Sequence, residues 1–502
     1  MAFERRGLLG LTWPNAAVFT AYLAMLCVAI SSYLAWEDEG RAWTLTRVFG
    51  LYNLIFHVLR YEGHPPVWYL ILYPLAKLHF PYLYINWVSA CCGAAGIYVL
   101  LRYSPFPFYL RALLPFGFAL AYEYAVVARS YCLFPLLGFL IAQEYRSTTR
   151  RPVRMAILLA LLANLSVHGT LVACVFYVTY GSDLNRERRS ADGRTLAATQ
   201  LRLAAGIFAA SLALVLVVLW PPHDLTAPVS PKVNRGIQKA APAAFHHETT
   251  AAHLLRTIDY QKPVTAPTPL ELNLGIGSLK FRGRLSTVFV YPIATFAPLA
   301  ILLQGMVFVL AWRRGKSALI AAPLLLGAFL VEVYLQLWHT SLLWVVLIMI
   351  LWSVWDERQG LKQPTLQNFT AAVFALVCLL QLPWTVAALR FERSHTIYPA
   401  KATADYLKSL PARRRIDGFD HAFILLPYFQ SYPFHLQQDL LDVPTVLADQ
   451  PDVIVFRDTT VTPDQLAQLG QAGYRDTQSF CGTPFFPNQP LTPLCMDVME
   501  KQ

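Results

Sequence analysis

Residues 14–39 read PNAAVFTAYLAMLCVAISSYLAWEDE, a long apolar run that ends on three consecutive acids, Glu37, Asp38 and Glu39. A helix needs about 20 apolar residues to cross the hydrocarbon core of a bilayer, and this run supplies them. Carboxylates at the edge of a span are costly unless they are solvated or used. Two readings of the triplet follow. It is a solvated helix end, or Asp38 and Glu39 sit at a partly dehydrated edge where a carboxylate acts as a general base.

The rest of the chain repeats the apolar pattern. Of 502 residues 56% are hydrophobic and 14% charged, against about 25% charged in ordinary soluble domains. Ten further apolar segments fall at 83–102, 111–128, 130–145, 153–168, 169–182, 202–220, 286–312, 317–337, 339–355 and 368–389. With the first they predict an α-helical polytopic membrane protein of about eleven transmembrane helices, residues 1–390, followed by a soluble domain, 391–502. Arg5 and Arg6 precede the first run and no small-residue cleavage pattern follows it closely, so it reads as a retained span rather than a cleaved signal peptide.

The formal charge of +11 raises the question of nucleic acid. The basic residues instead gather in short segments between apolar runs. Examples are Arg146, Arg150, Arg151 and Arg154, then Arg186, Arg188 and Arg189, then Arg313, Arg314 and Lys316. That distribution is the positive-inside pattern, and no nucleic-acid partner is expected. All clusters share one side if the apolar stretch 65–80 is not a full crossing. Its Pro65-Pro66 start and its interior Pro74 and Lys77 fit a re-entrant or interfacial helix. The expected topology puts the N-terminus in the cytoplasm. The first outer loop (37–82), a large outer loop (221–285) and the C-terminal domain then lie on the periplasmic side of a bacterial inner membrane.

The C-terminal part alternates in character. A helix is expected at 400–410, strands at 422–426 and 452–456, and an amphipathic helix at 463–473. Together they predict a small α/β domain. Cys481 and Cys495 are the cysteines outside the apolar segments; in an oxidising compartment they either pair or remain free thiols. The other six read as packing residues.

Several further residues stand out on the same predicted face. His64 opens the interfacial helix, either facing a site or marking a helix entry. Glu123 and Arg129 lie in an apolar segment, where they either pair with each other or leave Arg129 to bind an anion such as phosphate. His168, and His339 after Trp338, lie at outer ends of later spans, a place more often filled by a packed histidine. On the opposite, cytoplasmic side, Asp183, Glu187 and Asp192 fall among arginines and read as solvated loop. No HExxH, CxxC pair, Walker sequence or GxGxxG occurs.

The order of these features resembles the GT-C superfamily of polytopic glycosyltransferases, in particular the branch holding protein O-mannosyltransferases and aminoarabinose transferases. The matching residues are Asp38-Glu39 after the first span, His64-Pro65-Pro66 before an aromatic helix, Ala128-Arg129-Ser130-Tyr131 at the second outer turn, and His168. The match covers roughly 10–180; beyond 200 the layout alone agrees. The family's acid before Ala-Arg is Val127 here, with Glu123 one turn earlier. A later Arg-Tyr motif has no clear counterpart, and Trp338-His339 occupies a similar place.

The resemblance implies a polyprenyl-phosphate-sugar donor and inverting transfer to an acceptor hydroxyl on a protein, lipid A or another glycoconjugate. It implies Asp38 as base, with Glu39 in support. It also implies His64, Glu123, Arg129, Tyr131, His168, His339 and the basic set Lys280, Arg282 and Arg284 as substrate or phosphate ligands, and no required metal. A flippase of lipid-linked sugar and an O-antigen ligase-like enzyme are the alternatives.

Overall fold

The computed structural model describes residues 10–189, 198–220, 280–358, 365–429, 434–436, 441, 443–458, 461–483 and 493–502. In chain order its main helices begin with α1 (Trp13–Ser32), α2 (Glu37–Val48), α3 (Val67–Lys77), α4 (Tyr84–Tyr103), α5 (Leu133–Arg146), α6 (Pro152–Ala163) and α7 (Val167–Arg189). They continue with α8 (Ala198–Leu219), α9 (Lys280–Phe289), α10 (Ala297–Arg313), α11 (Ala321–Glu332), α12 (Leu342–Val354) and α13 (Leu366–Ser394). The helices α14 (Ala400–Ser409), α15 (Val443–Asp449) and α16 (Pro463–Gln471) accompany five strands: β1 (Ile416–Gly418), β2 (Phe434–Leu436), β3 (Val453–Arg457), β4 (Tyr474–Gly482) and β5 (Leu494–Lys501).

Among the described residues five helices are long and apolar enough to cross a membrane: Trp13–Ser32, Tyr84–Tyr103, Ala198–Leu219, Leu337–Val354 and Leu366–Ser394. The chain is thus mostly helical and membrane-type, with a small C-terminal sheet. Other apolar segments form shorter or interrupted helices. The segment 111–128 is not one continuous helix. It is a short helix to Leu113, a 3-10 turn at Leu114–Phe116 and a π turn at Ala119–Glu123. Pro115 supplies no N–H to the helical ladder, and the chain turns extended at Gly117. The segment 286–312 is likewise split between α9 and α10. Within the segment 37–82 α3 has 11 residues, roughly 16 Å of helix, about half of the ~30 Å needed to cross.

The chain divides into two units. The first comprises the described residues of Met1–Ser31, Asn86–Val217 and Lys262–Leu389. Its centre is α12, whose every residue from Leu342 to Val354 is buried. A helix apolar on all faces belongs in a core. It packs on α5, α10 and α11, and Trp352 meets Phe139 with ring centroids 5.7 Å apart. Gly138 of α5 permits the approach, since a Cβ there would lie 2.7 Å from the Met349 sulfur.

The second unit comprises the described residues of Ser32–Ile85, Val218–Gln261 and Arg390–Gln502. The C-terminal domain expected at 391–502 lies in this unit together with the segment 32–85. The sheet order is β2-β1-β3-β5-β4, with β1 parallel to β2 and β3, and β5 antiparallel to β3 and β4. Alternation along β3 serves two cores. Val453 and Val455 join Ala404 and Leu407 of α14. Ile454 and Phe456 join Val443, Val446 and Leu469 of α15 and α16. Cys481 and Cys495 oppose each other across β4 and β5 and form a disulfide.

One strand expectation is overturned. Residues 422–426 lie in a 3-10 helix, Asp420–Tyr428. Ile424, Leu425 and Leu426 are all buried, which a strand covered on one face would not allow. A short apolar run does not by itself separate buried helix from strand.

Candidate functional site

The candidate residues fall in both units. In the second unit, Glu37, Asp38 and Glu39 are the first three residues of α2, after the extended N-cap Trp36. Acids in a first turn favour the helix through its dipole, so part of the triplet's presence is helix initiation. Successive residues on a helix point about 100° apart, and the three carboxylates go to different surroundings. Glu39 is fully buried. It accepts hydrogen bonds from the Tyr33 hydroxyl at 2.9 Å to Oε2 and from the Trp36 N–H, the second contact being half of a capping box. Glu37 bonds the Tyr398 hydroxyl. Asp38, between them, is half-buried.

Phenols surround this helix start. Burial first, and then the neighbouring Tyr428 and Glu39, holds the Tyr82 hydroxyl well above its ordinary pKa. Burial and Glu39 raise Tyr428 in the same direction. Both phenols therefore stay protonated, and Tyr82 donates to the Trp36 carbonyl at 3.4 Å. Gly40 allows Pro427 and Tyr82 close to α2, where a Cβ would sit 3.0 Å from the Pro427 Cγ. Arg47, one helix length on, donates to the carbonyls of Phe429 at 2.7 Å and Leu426 at 2.9 Å. The loop and the C-terminal domain are thus one body. Sequence reading missed Tyr33, Tyr82, Tyr398 and Tyr428; aromatic residues beside a carboxylate carry no local signal of that role.

His64 follows Gly63, which adopts φ 63° to end the preceding helix. Nearby Arg41 and Glu62 pair at 2.7 Å, both nearly buried. Burial lowers the His64 pKa; Glu62 opposes the shift and Arg41 adds to it. A histidine depressed on folding favours the fold above its unfolded pKa, about 6.5, and that contribution is lost as pH falls through the folded value. Thermal melts of the wild type should therefore decline below about pH 6.5. His64→Gln should decline less over the same interval; matching profiles would exclude this group as the cause.

In the first unit, Tyr131, His168 and His339 form one cluster. The ring centroids of His168 and His339 are 4.5 Å apart, and Tyr131 lies 4.8 Å from His339 and 5.8 Å from His168. All three are buried. Each arrives from a helix entry or turn: Tyr131 from the 3-10 turn Ser130–Cys132, His168 from the start of α7, and His339 from the turn Leu337–Thr340. Gly169 holds the second of these close, because a Cβ there would lie 2.1 Å from the Leu162 carbonyl oxygen. The Tyr124 hydroxyl fixes the third by donating to the Trp338 carbonyl at 2.9 Å.

Polar groups flank the cluster. Arg129 lies within electrostatic reach of Tyr131. Glu123, at the end of the π turn, bonds the Ser341 side chain. Arg284 of α9 donates to the Val331 carbonyl at 3.0 Å. The side chains of Lys280 and Arg282 lie outside the described residues. Gln336, fully buried, was missed by sequence reading. Neither of its amide heavy atoms has a hydrogen-bond partner among the described residues. Imidazoles, a phenol and a guanidinium are the donor types that bind phosphate. Among the described residues no group of three His, Cys, Asp or Glu gathers in a way that could hold a metal ion.

Two acids leave the loop to which sequence reading assigned them. Asp183 and Glu187 lie on α7, and Asp183 is buried. It accepts from the Tyr145 hydroxyl and from Lys316 Nζ, both at 2.5 Å. The helix simply continues past the apolar segment into its charged turns. Asp192 lies outside the described residues. Comparison of the chain with family models, with characterised proteins and with solved structures finds no match.

Proposed function

We propose that the protein is a GT-C-type glycosyltransferase that moves a sugar from a polyprenyl-phosphate carrier to an acceptor hydroxyl at the outer face of a bacterial inner membrane. The observation that carries the reading is the division of labour at the start of α2. Glu39 is fully buried and holds the Tyr33 hydroxyl and the Trp36 N–H, whereas Asp38, its neighbour in the first turn, is only half-buried and is the member of the pair that substrate can approach. Eleven spans, a cytoplasmic N-terminus and an outer C-terminal domain complete the topology, supported by the side on which the arginine clusters fall.

In this reading Asp38 takes the proton of the acceptor hydroxyl as its oxygen attacks the anomeric carbon. The bond from that carbon to the phosphate oxygen breaks, and polyprenyl phosphate leaves with the electron pair. One displacement inverts the anomeric configuration. The leaving group is already an anion, so it needs donors and positive charge rather than an acid. Arg129, Tyr131, His168 and His339 are assigned that role, with Arg284 and the basic Lys280 and Arg282 beside it in sequence.

Movement of the intact lipid-linked sugar between leaflets is the competing reading, favoured by the buried polar groups Gln336, His168 and His339 in apolar surroundings. Mass analysis of envelope lipids and glycans from cells lacking the gene distinguishes what is lost. A transferase predicts one glycoconjugate lighter by a single sugar, with the sugar-loaded carrier accumulating and both changes reversed by the restored gene. Envelope glycans of unchanged mass would contradict the proposal.

A further inference from the structure

One feature of the first unit lies among its basic turns rather than beside the histidine cluster. A cavity of about 550 Å³ opens there, lined by Arg150, Arg151, Arg154, Ile157, Leu158 and Gln200 among others. The turn after α5 and the first turns of α6 bring the three arginines together, and α8 supplies Gln200. Two of the guanidinium groups are already engaged. Arg150 pairs with Glu187, with Nε at 3.0 Å from Oε2, and Arg154 lies 3.2 Å from the buried Glu144 carboxylate. Arg151 is exposed and makes no ion pair within 4 Å among the described residues, acting on the Glu144 carboxylate only at longer range. Three guanidinium groups thus line one cavity, with two carboxylate partners between them.

The apolar side of the same helix gives the ligand its second half. Ile157 and Leu161, 46% and 39% exposed, follow Arg154 along α6 at spacings of three and seven, so all three share one stripe. A phosphate in the cavity would place attached acyl chains along that stripe, whereas a soluble anion would leave it unused. We propose that this cavity binds the phosphate headgroup of an anionic membrane phospholipid, with Arg151 as the principal ligand through its two-pronged geometry. Under the positive-inside orientation the lipid belongs to the inner leaflet, whose anionic headgroups favour basic pockets between helices. The site does not depend on the glycosyl-transfer reading.

The test uses the full chain purified in detergent and examined by native mass spectrometry. The wild type should retain phosphatidylglycerol adducts and not phosphatidylcholine adducts, a comparison that needs no variant to fold. Arg151→Gln should lower phosphatidylglycerol affinity about tenfold, the scale of one lost charge-assisted bidentate contact. Arg146→Gln should leave it unchanged, because Arg146 pairs with Glu357 at the surface and does not line the cavity. Equal retention of the two lipids would overturn the proposal. So would unaltered binding in Arg151→Gln, or an equal loss in Arg146→Gln, which would mean diffuse attraction. Displacement of phosphatidylglycerol by millimolar orthophosphate would assign the cavity to a soluble anion instead and would overturn it as well.

Discussion

Asp38→Asn should reduce glycosyl transfer by about a thousandfold, within the range of 10²–10⁴ that a positioned general base supplies. The substitution is nearly isosteric and leaves Glu37 bound to Tyr398 and Glu39 bound to Tyr33. Asparagine keeps an acceptor oxygen in the same place, and loss of one negative charge from the first turn of α2 weakens its interaction with the helix dipole by about 0.3–1 kcal/mol. The melting temperature should therefore change little, and carrier-lipid binding should stay within about twofold of the wild type, since it draws on other residues. Transfer at the wild-type rate by Asp38→Asn would remove the general base from the account.

Glu39→Ala should act in the opposite order, on the fold first and on activity through it. The buried carboxylate satisfies the Tyr33 hydroxyl and the Trp36 N–H, and its removal leaves two donors without their acceptor. Hydrogen bonds to charged groups are worth about 1.5–3 kcal/mol each and are not additive, so a loss of about 3 kcal/mol is expected. Unfolding of the second unit, followed by limited proteolysis, should register it. Transfer should also fall, by about a hundredfold, because Asp38 is the adjacent residue and small misplacements of a reacting group are expensive. Tyr33→Phe removes one of the two donors and should reproduce a smaller part of the same loss. If Glu39→Ala melts like the wild type while transfer disappears, Glu39 is acting on substrate and not as a positioning residue.

Apolar segments were legible because span length is a property of composition. Interruptions inside them were less so: Pro115 and Gly117 break 111–128 locally, against an otherwise continuous apolar signal. In the C-terminal domain β3 and α16 were readable, the first from a run of β-branched residues and the second from its amphipathic pattern. The capping pair of Thr462 and Gln465 fixes the start of α16. The strand β4 was not readable, because most of its residues are exposed and polar and it carries little hydrophobic pattern.

The site divides in the same way. The acidic triplet, Arg129 and His168 stood out by residue type at the ends of apolar segments and His339 by its place at such an end, while Tyr131 and the choice of Asp38 within the triplet came from the family resemblance. That His168 and His339 touch was not legible, since 171 positions separate them (339 − 168). The attachment of the first loop to the C-terminal domain was equally hidden. Arg47 reaches the Phe429 carbonyl over a separation of 382 residues, and local periodicity carries no record of such a pairing.

The central claim is chemistry on a lipid-linked sugar, and one reconstitution tests it most directly. The full chain in liposomes would receive polyprenyl-phosphate-linked sugar labelled in the sugar, with envelope extract from cells lacking the gene as acceptor. Unloaded polyprenyl phosphate and labelled acceptor of inverted anomeric configuration should appear in equal amounts with the wild type and not with Asp38→Asn. Labelled carrier that changes leaflet but keeps its sugar, at equal rates in both proteins, would contradict it.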